Sequence, residues 1–165
     1  MKLWLLYGLL SLTLISDISA QQVNTPFPNP VLPGYPFNES QYLRISVNNN
    51  SPLEFSGASD LDNGLVISGW LKITIYSSTS WKLTVQSISP YAWSNNHQQQ
   101  PVSIFQLKAS NSNLYVQVRS TPQSILRGSG SKFESVFYID LQANPGWDYG
   151  AGNYIANLIF TLTSQ

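Results

Sequence analysis

What most constrains this chain is a period of two in its apolar residues, repeated from residue 41 to the C-terminal end. Leu43, Ile45 and Val47 alternate with Arg44 and Ser46. Leu71, Ile73 and Ile75 alternate with Lys72 and Thr74, and Trp81, Leu83 and Val85 with Lys82, Thr84 and Gln86. Leu114, Val116 and Val118 keep the same rule, as do Phe137, Ile139 and Leu141. So do Tyr154, Ala156, Leu158, Phe160 and Leu162. Successive side chains of a β-strand point to opposite faces, so each run offers one apolar face to a core. A helix would need a period of 3.6, and no window after residue 40 reads as one.

Turn-forming residues separate the runs: Asn48-Asn49-Asn50-Ser51-Pro52, Asp62-Asn63-Gly64, Gly128-Ser129-Gly130 and Asn144-Pro145-Gly146. Seven or eight strands result. The apolar phase slips between Ile104 and Phe105, which reads as a bulge. Short strands with regular breaks predict an all-β, antiparallel immunoglobulin-like β-sandwich over residues 41–165, with a jelly roll as the alternative. The last run, residues 154–163, has its main apolar set on one face and Ile155 and Ile159 on the other. That pattern predicts a central or covered strand.

The first forty residues behave differently. Lys2 gives a positive start, residues 3–15 are almost wholly apolar, and Ile18-Ser19-Ala20 resembles a signal-peptidase site. The apolar run is too short for an ordinary membrane span, so residues 1–20 read as a cleaved signal peptide. An uncleaved anchor is the alternative, and Asp17 with the small Ser19-Ala20 pair weighs against it. The expected location is secreted, periplasmic or cell-surface, with no membrane insertion after cleavage. Residues 21–40 carry Pro26, Pro28, Pro30, Pro33 and Pro36. Proline fixes φ and lacks a backbone donor, so this tail should be extended and outside any sheet.

Composition narrows the function. The chain has no cysteine, which removes disulfides and thiolate chemistry. Eight basic and eight acidic residues cancel, and no basic cluster exists, which argues against nucleic acid and anionic membranes as partners. The only histidine, His97, sits in a polar loop with no Gly-x-Ser-x-Gly elbow to support a triad. Asp60 and Asp62 form the only close acidic pair. They read first as turn chemistry beside Asn63-Gly64, then as a faint calcium loop, and last as a glycosidase pair. The expectation is a non-enzymatic protein with no cofactor and no metal.

Aromatic residues remain. Trp81 is in phase with Leu83 and Val85 and should be core; the face of Trp70 is ambiguous. Trp93 and Trp147 read as loop residues beside Tyr91 and Tyr149. Tyr91, Trp93, Trp147 and Tyr149 are the candidate ligand platform, because exposed rings stack on sugars. The competing reading makes the two tryptophans plugs over the end of the sandwich.

The stretch from Asp140 through Gly146-Trp147-Asp148-Tyr149-Gly150 to Leu162-Thr163 carries a resemblance. A Gly-containing turn, a Gly-x-Tyr and a closing strand of apolar and Thr residues resemble the ending of spore-coat-protein-U-like and pilin-like secreted proteins of bacteria. Residues 63–85 are similar to uncharacterised secreted proteins of Bacteroidetes-like bacteria that share this ending. The resemblance implies an envelope protein used in adhesion or fibre assembly, with protein partners or self-association, and no catalytic residues. Departures are the missing disulfide and an N-terminal extension broken by prolines. A carbohydrate-binding module with a glycan ligand is the second expectation, and a secreted hydrolase the third.

Overall fold

The computed structural model describes residues 41–94, 98–149 and 153–165, together with the backbone of Gly8–Leu10. The proline-rich tail, most of the signal-like segment and His97 lie outside the described residues. In chain order the strands are β1 (Gly8–Leu10), β2 (Gln41–Val47), β3 (Leu53–Phe55), β4 (Leu65–Ser77) and β5 (Trp81–Ser87). There follow β6 (Tyr91–Ser94), β7 (Gln99–Pro101), β8 (Phe105–Ala109), β9 (Val116–Gln117) and β10 (Gln123–Gly128). The last three are β11 (Ser135–Ala143), β12 (Tyr154–Ile155) and β13 (Leu158–Ser164).

These strands build an antiparallel β-sandwich. One layer is a five-stranded sheet in the order β2-β4-β11-β8-β9, and the other a three-stranded sheet in the order β10-β5-β13. A small sheet, β12-β6-β7, and the pair β1-β3 complete it. β1 falls inside the stretch read as a signal peptide, and it pairs antiparallel with β3. The inward residues are those the alternation selects. Leu71, Ile73 and Ile75 of β4, Leu83 and Val85 of β5, and Ile139 and Leu141 of β11 are fully buried. Each such side chain contributes about 1.5–3 kcal/mol by leaving water. Trp81 of β5, only 3% exposed, meets Phe137 of β11 edge-on at 5.6 Å, which joins the two layers. Gly128 of β10 lies against that indole; a Cβ there would overlap the ring. Trp70 is also core.

Several expectations need correction. Ala58–Asn63 is a helical turn, α1, rather than a plain turn. Its start is fixed by Asp60, whose Oδ2 accepts hydrogen bonds from the Ser56 and Gly57 amides at 2.9 and 3.2 Å. The phase slip before Phe105 is a 3-10 turn, Val102–Ile104, and not a bulge. Of the Leu114 run only Val116–Gln117 is strand; Leu114 is exposed while Val118 is buried. The closing run is interrupted at Ala156 and Asn157 and ends as β13, which forms an edge of its sheet rather than its centre.

A true bulge lies elsewhere. Between β11 and β4 the register jumps from Ile139↔Leu71 to Leu141↔Ile67, so Ser68, Gly69 and Trp70 face the single residue Asp140. Gly69 has φ of 60°, the left-handed region that glycine tolerates. Asp140, 6% exposed, fills the gap. Its Oδ1 accepts from the Gly69 amide at 2.8 Å and the Ser110 hydroxyl at 2.7 Å, and Lys108 Nζ stands 3.4 Å from Oδ2. Burial pushes this carboxyl's pKa up, but the three donors outweigh it and hold it below its ordinary value.

Candidate functional site

The platform residues lie on segments that are both anchored to the 3-10 turn Val102–Ile104. The 3-10 turn ties their segments together, because the Val102 amide donates to Pro90 O and the Asn144 amide to Ile104 O, both at 3.0 Å. Tyr91 follows Pro90 directly, and Trp147 lies three residues beyond Asn144.

Tyr91 and Trp93 are not in a loop. They stand on β6, two residues apart and therefore on one face, with Ala92 and Ser94 buried on the other. The strand rise sets their backbones about 6.6 Å apart. Both aromatics stay open to solvent, Tyr91 at 44% and Trp93 at 47%. The Ser89 hydroxyl oxygen accepts from the Tyr91 amide at 3.1 Å and from Trp93 Nε1 at 3.4 Å, which restrains the indole. Across the strand Trp93 faces Gln99 of β7 and Ile155 of β12.

Trp147 is the most open of the set, at 63% exposed, so it is not a plug over the core. Gly146 before it has φ of 65°, a conformation that favours glycine and turns the chain outward. The indole Nε1 donates to Asp62 Oδ1 at 2.7 Å, so a residue 85 positions away in α1 fixes an exposed ring. Nothing local in the sequence announces that pairing. Tyr149 behaves differently: it is half-buried and packs against the core. The structure thus presents three open rings, Tyr91, Trp93 and Trp147, and tucks the fourth beneath.

Asp60 and Asp62 are occupied by structural tasks. Asp60 caps α1, and its bonds to the Ser56 amide and hydroxyl lower its pKa. Asp62 holds Trp147. Among the described residues no cluster of three or more His, Cys, Asp or Glu is arranged to hold a metal ion. No helix among them is long and apolar enough to cross a membrane.

A further aromatic pair, one ring exposed and one half-buried, escaped the sequence reading. On the outer face of the five-stranded sheet Tyr42 of β2 stacks on Tyr76 of β4, with ring centres 5.6 Å apart. The Tyr42 hydroxyl donates to Glu134, which raises its pKa above the ordinary value. Cross-strand position brings the rings together, and one strand's sequence carries no sign of it.

No protein-family model matches the chain, and no curated protein matches it.

Proposed function

We propose that the chain is a secreted, non-enzymatic subunit of the bacterial cell surface, acting in adhesion or fibre structure through a fixed aromatic contact surface. The observation that carries this reading is the exposure of Trp93 and Trp147 despite their size, each restrained by a hydrogen bond from its indole. Large apolar side chains left in water on a rigid scaffold are costly unless a partner covers them. The pilin-like ending and the sparse charge support the same reading. The test is surface display: intact cells should bind an antibody against the domain. Beads coated with the protein should adhere to its target surface, and Trp93→Ala with Trp147→Ala should abolish adhesion without unfolding the domain. Protein confined to the cytoplasm, or adhesion indifferent to both tryptophans, would sink it.

A second reading, a carbohydrate-binding module, is favoured by the Tyr91–Trp93 pair on one strand face. Rings carried on strand positions about 6.6 Å apart offer consecutive stacking positions, and the uncharged Gln99 and Ser89 suit a neutral glycan. Retention on an insoluble neutral polysaccharide, lost in Trp93→Ala, is the expected result. Equal retention of both proteins would reject it.

A further inference from the structure

The closing strand carries a pattern that does not suit its place. β13 carries an unbroken inward apolar row, Leu158, Phe160 and Leu162, yet it forms an edge of the three-stranded sheet. Native sheets guard their edges by shortness, bulges, charge or proline. Every other sheet edge among the described strands is guarded in this way. β1, β3, β9 and β12 have two or three residues. β10 is bulged between Ser124 and Leu126 and carries Arg127. β2 carries Arg44, and β7 ends in Pro101. The seven residues of β13 contain no charge, proline or glycine, and their register with β5 is unbroken.

The free backbone groups can be assigned. The Ile88 amide donates to Asn157 O at 3.1 Å, and this register continues along β5. Odd-numbered residues of β13 therefore bond to β5. The N–H and C=O groups of Leu158, Phe160, Leu162 and Ser164 point away from it. Among the described residues only Gln41 reaches over them, with a long 3.4 Å bond from its Nε2 to Leu162 O.

We propose that a second copy of this chain occupies the edge, β13 against β13, antiparallel about a two-fold axis at Thr161. This goes beyond the adhesion reading and does not use the aromatic surface. In that register Phe160 pairs with the second copy's Leu162 and Leu158 with its Ser164, so all eight free backbone positions find partners. The inward apolar row continues from one copy into the next.

The chain's lack of cysteine makes a direct test available. Residues facing each other in a non-hydrogen-bonded pair have Cα atoms about 4.5 Å apart, within the range of a disulfide. Thr161 is exposed, so its replacement leaves the fold intact. Thr161→Cys should give a covalent dimer on mild oxidation, while Thr163→Cys, displaced from the axis, should not. By sedimentation the unaltered chain should be dimeric, and Thr161→Lys should weaken the dimer about tenfold or more. Mixing Thr161→Lys with Thr161→Asp should restore association. A chain that sediments as a monomer, or cross-linking that is equal at both positions, overturns the proposal. A monomer that still adheres would overturn the pairing while leaving the adhesion reading in place.

Discussion

Trp81 and Trp147 differ in what their indoles touch, and alanine at each site separates the two situations. Trp81 is enclosed by both layers of the sandwich and abuts Phe137 and Gly128. Trp81→Ala should cost about 3–5 kcal/mol. Trp147→Ala should cost less than about 1 kcal/mol, since it removes one exposed ring and one surface hydrogen bond. Urea midpoints check this; equal shifts would contradict the assignment. Gly128→Ala places a methyl where the Trp81 ring lies and should destabilise by about 1–3 kcal/mol. Because the clash is with one side chain, Trp81→Phe in the same protein should recover part of the loss. At this scale the sequence was informative wherever a residue kept phase with its neighbours, as Trp81 does. It was misleading where a contact spans the chain, as Asp62 and Trp147 do.

Among elements, β4, β5 and β11 were readable because each has one buried and one open face along most of its length. β6 was not, because its alternation is inverted. The small Ala92 and Ser94 face inward, where little room remains, and the large Tyr91 and Trp93 face out. A rule that buries large apolar residues reads such a strand as a loop. The bulge opposite Asp140 was hidden for a similar reason: its cause is a polar network drawn from three strands. That network has a pH signature. Asp140 has its carboxyl pKa lowered in the native state, so its contribution is present above the ordinary carboxylate value, about 3.9. It is lost as pH falls through the lowered native value. Asp140→Asn should therefore flatten the acid limb of stability below about pH 4. At neutral pH, Asp140→Ala should cost about 2–3 kcal/mol by leaving the Gly69 amide, Ser110 and Lys108 unsatisfied. Thermal melts from pH 7 to pH 2 measure both effects, and parallel profiles for the Asp140→Asn variant and the parent would refute the assignment.

For the whole molecule, alternation at period two foretold an all-β sandwich because two half-polar sheets can bury their apolar faces only against each other. It did not reveal which strand would lie at the rim, since that depends on connection order rather than on any strand's own residues. A far-ultraviolet circular dichroism spectrum should show one broad β minimum; pronounced helical minima would contradict the architecture. The meeting of β2 and β13 has a mechanical consequence. Gln41 bonds to Leu162 O, and the Ser164 hydroxyl donates to Gln41 Oε1 at 2.9 Å, so the two ends of the sandwich emerge side by side. Tension applied between residues 41 and 164 would open the ladders from their ends, breaking bonds one after another instead of loading them together. Such a domain yields at low force when pulled through its ends and resists when gripped across its strands. Single-molecule pulling along the two directions should give clearly different rupture forces, the end-to-end value being the smaller. In a surface fibre, this sandwich would resist drag through contacts made by its flanks and give way first along its own chain.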